Sequence, residues 1–177
     1  EYVNGKLTRK FVYTDENTQD NKNTDSDETT SPKDTNTIKN PINTQNDSQL
    51  TTSEKQLYTL INQEREKAGL SPVSIDMDVV RAARLKSEDM AKNHYFAHTS
   101  PTYGNSREML KDMNINFSGA AENIAINGSV SRVHSSFMTS STHKANILSN
   151  GWTHVGIGIA KRTNGTGIIV TEIFLKK

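Results

Sequence analysis

The sequence predicts an α+β fold, or a layered α-β-α arrangement, on three observations. Segments with helical spacing of apolar residues come first, between residues 53 and 140. A pair of alternating β segments around Asn164-Gly165 comes last. Helices that precede a closing hairpin bury their stripes against a sheet rather than form a parallel β-α repeat. The third observation is compositional. Residues 15–52 are so polar that the fold must be built from residues 53–177 alone: 25 of those 38 positions are Asn, Thr, Asp or Ser. Such a stretch cannot offset the entropy of ordering its backbone, and it reads as a disordered linker.

Each element has its own signal. Ser53, with Gln56 three residues on, is expected to cap a first helix carrying Leu57, Leu60, Ile61 and Ala68, and Gly69 suits its left-handed stop. Pro72 forces an extended link. Asp76 caps a second helix over about 77–92. Val79, Val80, Ala83 and Met90 give it a buried face, with Arg84, Lys86, Glu88 and Asp89 expected in solvent. Residues 94–101 form a polar-aromatic loop. Ser106 can cap a third helix with Met109, Leu110 and Met113 inward. Residues 119–126 read as a turn into a short buried stretch, and 131–140 as a fourth helix carrying Val133, Phe137 and Met138. Val155, Ile157 and Ile159 then alternate with Gly156, Gly158 and Ala160, and Asn164-Gly165 signals a hairpin returning over Ile168 to Leu175. The glycines on one side of that strand allow a neighbour to pack closely.

Composition excludes several classes. The 177 residues hold no cysteine, which removes disulfides, thiolate-ligated zinc and thiol nucleophiles. No apolar run approaches the ~18 residues that cross a bilayer, so no transmembrane span is expected. The net charge is +1, split into −3 over residues 1–50 and +4 over 51–177, which argues against a nucleic-acid partner. Residues 1–14 differ from the linker. Val3, Leu7, Phe11, Val12 and Tyr13 suit a short strand or docking segment, or simply a processing boundary. The chain opens on Glu1 rather than Met, which points to a removed upstream segment such as a secretory signal.

Candidate chemistry rests on five histidines, at 94, 98, 134, 143 and 154, and on Glu122. A lone His is more often structural than functional. His98 lies in the loop between two helices, and His143 lies just past a helix end. Glu122 interrupts the apolar run Ala120 to Ile126. If buried it needs partners, and imidazoles are suitable ones. Two imidazoles with water would make an incomplete, exchangeable zinc-like site, since catalytic zinc usually has three protein ligands. Glu122 would then orient a histidine or activate water. Ser140 could act as a nucleophile only with a histidine base and an oxyanion hole, and no GxSxG or HExxH pattern is present.

Four stretches together carry a resemblance. They are Phe96 to Pro101, Ala121 to Ala125, Ser141 to Leu148, and Trp152 to Gly158, with Leu60 to Arg65 and Gly69-Leu70 ahead of them. In this order they resemble the CAP superfamily of cysteine-rich secretory, antigen 5 and pathogenesis-related 1 proteins, in its bacterial, cysteine-free branch. The resemblance implies a three-layer α-β-α sandwich with a C-terminal antiparallel hairpin and a surface cleft. It also implies that many members line the cleft with two histidines and two acids, where the histidines can hold a divalent metal such as zinc. Carried over, the first histidine is His98, the first acid Glu122 and the second histidine His143. The second acid falls near Ser140, where this chain has no carboxylate. His154 is a rival for a place in the cleft, or else a strand-edge residue that organises its loop.

Three readings follow. The first is a secreted or cell-surface binding module for a cell-wall component, lipid, peptide or protein. The second is a metal-dependent hydrolase, protease-like, using His98, His143 and Glu122. The third is a purely structural polar network.

Overall fold

The computed structural model describes residues 49–177 and, ahead of them, only Tyr2, Val3, Lys6 and Leu7. The chain divides into two units, Glu1–Ile42 and Asn43–Lys177. In the first, β1 (Tyr2–Val3) and β2 (Lys6–Leu7) pair antiparallel, with Tyr2 opposite Leu7. The expected linker, residues 15–52, lies outside the described residues except at its last four positions.

The second unit is α+β, with three layers. Its sheet has the order β3-β5-β6-β4, where β3 is Ser74–Ile75, β4 is Gly119–Asn127, β5 is His154–Lys161 and β6 is Ile168–Lys176. β3 runs parallel to β5, and the other pairs are antiparallel. On one face lie α1 (Thr52–Lys67), α4 (Val130–Thr139) and α5 (Ser141–Ile147). Their Leu57, Ile61, Val133, Phe137 and Ile147 pack on Val155, Ile157, Val170 and Phe174. On the other face lie α2 (Met77–Lys92) and α3 (Ser106–Asp112), where Val79, Ala82, Ala83, Met109 and Leu110 pack on Ala120, Ile173 and Leu175. The period of two sends alternate residues of β6 into opposite layers.

The second helix spans Met77–Lys92 with Asp76 as its cap, as the sequence predicts, and the Asp76 carboxylate accepts from the Asp78 and Val79 N–H groups. Gly69, at φ +70, ends α1 in the left-handed region. Other details differ. Thr51, not Ser53, caps α1, and Glu54, not Gln56, closes the capping box. Glu54 is preferred because the same carboxylate grips Arg84, with Nε–Oε1 at 2.8 Å and Nη2–Oε2 at 2.7 Å. Asn105, with Glu108, caps α3 in place of Ser106. The segment at 119–126 is a full nine-residue strand rather than a turn and short stretch. A fifth helix follows α4, because Ser140 adopts an extended backbone that breaks the two apart. The hairpin loop spans residues 162–167, and its left-handed positions are Gly165 and Gly167 rather than Asn164-Gly165.

The largest departure is on α2. Arg84, Lys86 and Asp89 do not lie in solvent: Lys86 is 1% exposed, Asp89 is 7% exposed and Arg84 is clasped by Glu54. Only Glu88 of the four is exposed. The helix is covered on two sides, by the sheet and by the loop that follows it.

Gly156 and Gly158 explain how α2 comes so close to the sheet. A Cβ on Gly156 would stand 2.3 Å from the Val79 carbonyl carbon, and one on Gly158 would stand 2.1 Å from that of Ala83. The Ser87 hydroxyl seals the seam by donating to the Gly158 carbonyl at 3.0 Å, and it also bonds the Thr171 hydroxyl at 2.9 Å. Gly158→Ala is expected to destabilise the protein by about 3 kcal/mol, because neither backbone can move aside. Gly151→Ala, whose added carbon would meet nothing closer than 3.6 Å, should stay within about 0.5 kcal/mol of the parent. Urea denaturation of the two variants checks this.

Candidate functional site

One wall of the site begins at the C-terminal turns of α2. The buried Asp89 carboxylate accepts four hydrogen bonds: Asn93 Nδ2 at 2.7 Å, Tyr95 OH at 2.5 Å, Ser100 Oγ at 2.6 Å and Thr102 Oγ1 at 2.7 Å. Burial alone would raise its pKa, but these donors outweigh it and hold the carboxylate below its ordinary range. The loop from 93 to 105 is thereby pinned to the helix. Lys86 Nζ donates to the His98 carbonyl at 2.8 Å and lies 5.4 Å above the centre of the Tyr95 ring. Burial lowers the Lys86 pKa, opposed by the charges of Glu122 and Asp89.

His98 is therefore fixed through its backbone while its ring stays 61% exposed. Its Nδ1 lies 2.7 Å from Glu122 Oε1. Glu122 comes from β4, and its side chain is only 5% exposed. Burial pushes its pKa above the ordinary value, and the His98 hydrogen bond and the Lys86 charge only partly offset that. Its other oxygen, Oε2, is buried and has no hydrogen-bond partner among the described residues. A carboxylate on Nδ1 directs Nε2 outward, toward solvent or a ligand.

The opposite wall is α5. The His143 ring packs against Phe137 at a centroid distance of 5.1 Å. Its carbonyl accepts from Asn123 Nδ2 at 3.2 Å. The same Nδ2 donates to Glu172 Oε2 at 3.0 Å, and Asn123 Oδ1 accepts from Asn146 Nδ2 at 2.8 Å. Trp152 Nε1 and Arg65 Nη1 tie the end of α5 down through the carbonyls of Asn146, Ile147 and Ser149. Burial lowers the His143 pKa, and a positive charge on His98 lowers it further.

The structure pairs His98 with Glu122 and sets His143 on α5, whose Asn146 Nδ2 reaches the Glu122 carbonyl at 3.4 Å. Ser140 joins α4 to α5, with its N–H directed at the Ser136 and Phe137 carbonyls. Among the described residues no imidazole bonds its hydroxyl. His154 opens β5, and its Nδ1 lies 2.8 Å from Thr153 Oγ1. β6 stands between β5 and β4 in the sheet, so His154 lies apart from the other three. Among the described residues no three His, Cys, Asp or Glu side chains group to hold a metal ion. The residues that would hold a divalent ion are His98 and His143, with Glu122 orienting the first ring.

Sequence reasoning missed the bracing residues Lys86, Asp89, Asn123, Asn146 and Glu172. Glu172 carried a signal. It stands between Val170 and Phe174 in a strand otherwise apolar on that face, and a carboxylate there must be buried.

A family model described as the cysteine-rich secretory protein family (CAP) matches residues 58–174. The Bacillus subtilis (strain 168) protein YkwD is 40% identical over 125 residues, 70% of this chain and 47% of that one. Among solved structures, an extracellular protein containing an SCP domain from Bacillus anthracis superposes with a TM-score of 0.66 at 28% identity, over 71% of this chain and 40% of that one. An outer surface protein of Borrelia burgdorferi shares the fold, with a TM-score of 0.63 at 22% identity, over 77% of this chain and 97% of that one. The chain spans less than half the length of the first two relatives.

Two pH measurements test the network. Glu172 is fully buried, its Oε1 lacks a partner among the described residues, and burial pushes its pKa from 4.5 to about 8. The folded state therefore keeps a proton that the unfolded chain releases. This contribution to stability is complete below the unfolded value and is lost as pH rises through about 8. Thermal melts between about pH 5 and about pH 9 should show that decline, and Glu172→Gln should flatten it. For Glu122, His98→Ala removes the interaction that lowers its pKa. Carboxyl carbon NMR should find Glu122 titrating higher in that variant than in the parent.

Proposed function

The chain belongs to the cysteine-rich secretory protein (CAP) family, in its bacterial, cysteine-free branch, and from that premise we propose that it is a secreted or cell-surface binding module. It takes an envelope ligand into the cleft between His98 and His143. The observation that carries this reading is the His98–Glu122 pair. It is braced from below by Lys86 and Asp89, yet the His98 ring is open to solvent. A ring held at a fixed angle with its outer nitrogen exposed is prepared to meet a ligand with little ordering cost. The extracellular SCP-domain relative supports a location outside the cytoplasm. Among the described residues no helix is long and apolar enough to cross a membrane. Candidate ligands are a cell-wall component, a lipid, a peptide or a protein.

A second reading is favoured by one observation, the raised pKa and unpartnered Oε2 of Glu122. A carboxyl poised above its ordinary value suits a general base or acid. In a divalent-metal-dependent hydrolase, His98 and His143 would hold the ion, which would supply a more acidic bound water. Binding is preferred because a third protein ligand is lacking among the described residues.

The two readings separate on one pair of proteins, the full chain and its His98→Ala, His143→Ala double variant. Both should melt cooperatively, since the imidazole rings lie largely outside the core. The parent should be retained on cell-wall or lipid fractions and the double variant should not. Equal retention would remove the cleft from the function. Zinc analysis after dialysis should show metal in the parent only, if the hydrolase reading holds; equal zinc in both would defeat it, as would unchanged hydrolysis in Glu122→Gln.

A further inference from the structure

β4 is the last strand of the sheet. Its odd-numbered residues turn their peptide groups toward β6, so its even-numbered residues turn theirs outward. Side chains already occupy part of that outer edge. Arg107 Nη2 donates to the Ala120 carbonyl at 2.7 Å, and Asn146 Nδ2 donates to the Glu122 carbonyl at 3.4 Å. Beyond Glu122 the capping stops. Among the described residues, no partner is present for the outward N–H and C=O groups of Ile124 and Ile126. Ile126 is 37% exposed, whereas Ile124 is 6% exposed with its side chain in the core, so Ile126 is the accessible end of the edge.

Unpaired peptide groups along an edge template another strand. The surroundings of this edge are cationic. Arg107 stands at its start, and the Arg132 guanidinium would lie 3.5 Å from a Cβ on Gly128, just past its end. The one carboxylate of β4, Glu122, is buried and engaged by His98. α5 and the loop from 93 to 105 carry no acidic residue.

We propose that the outer edge of β4 captures an extended, carboxylate-bearing peptide segment as an added strand of the sheet, alongside His98 and His143. The proposal rests on the cleft being a binding site and names its occupant. Main-chain hydrogen bonds to Ile124 and Ile126 supply the attachment. Arg107 and Arg132 select acidic side chains, and Phe96, 47% exposed in the loop two residues before His98, offers an apolar contact. Strand addition of this kind takes affinity from the backbone and specificity from alternate side chains.

The test uses the isotope-labelled full chain and an end-blocked octapeptide alternating valine and glutamate. The Ile124 and Ile126 amide signals should shift, and their exchange with solvent should slow by about tenfold or more at saturation. A lysine version of the peptide should bind about tenfold more weakly. A version N-methylated at alternate amides should not bind. Ile126→Pro removes an outward N–H at an edge position where proline is tolerated, and it should lose the peptide. If that variant does not fold, the N-methylated peptide still decides the matter. Unmoved Ile124 and Ile126 signals would overturn the proposal, as would equal binding of the N-methylated peptide. So would edge-to-edge dimerisation of the chain itself, seen by sedimentation. Shifts confined to the His98 and His143 rings would overturn the edge while leaving the cleft as a binding site. Failure of the cleft itself is read separately, from equal retention of the double histidine variant on envelope fractions.

Discussion

The close approach of α2 to β5 is the constraint on which the rest depends. Two glycines on one side of a strand let a helix backbone settle where any Cβ would collide. From that depth, residues on the flank of the helix cannot reach water, and Lys86 and Asp89 become buried. A buried charge must find partners or lose its charge. Asp89 finds four donors in the loop that follows, and Lys86 finds the His98 carbonyl. The loop is ordered because α2 needs it, and the position of His98 follows from that need.

The other wall repeats the logic with neutral groups. Glu172 is sealed beneath α5, where its carboxyl keeps its proton at neutral pH. Asn123 spends one amide nitrogen on both Glu172 and the His143 carbonyl, and its oxygen on Asn146. A one-residue shift of β4 would turn Asn123 away from α5 and Glu122 away from His98 together, because alternate residues face opposite layers. The pairing of β4 with β6 therefore sets both walls at once. Buried polar groups arranged in this way specify a register more than they add stability.

Much of this was legible in the residues. The Asp76 cap and the span of α2 follow from local chemistry, as does the left-handed stop at Gly69, and the structure repeats them. The glycine alternation at 156 and 158 announced a close neighbour but not which one. What could not be read was decided by tertiary contact. Lys86 and Asp89 sit where the 3.6-residue period puts a solvated face, and only a loop folding over that face makes it an interior. Ser53 and Gln56 form a sound capping pair by spacing. Thr51 and Glu54 win because Arg84, distant in sequence, waits for the carboxylate. For the site, Glu122 stood out as a carboxylate in an apolar run, and such a residue needs a partner. The run does not say which of five histidines provides it. Sheet order does: β6 separates His154 from β4, whereas the α2–α3 loop and α5 bring His98 and His143 to either side of it.

The absence of cysteine sharpens why the bracing is polar. Relatives with disulfides can hold a loop by covalent constraint on the unfolded chain. This chain has none, so the loop bearing His98 is held by four hydrogen bonds to one carboxylate and one from a lysine. Such a scaffold responds to protonation where a disulfide does not. Its donors hold the Asp89 carboxylate below its ordinary range, so its contribution is lost only as pH falls through that lowered value. Burial instead raises the pKa of Glu122 and of Glu172, and ionising the fully buried Glu172, whose Oε1 has no partner among the described residues, places a charge beneath one wall. The Glu172 contribution is thus lost on the basic side, as pH rises through about 8. The cause is the same burial that orients the two histidines.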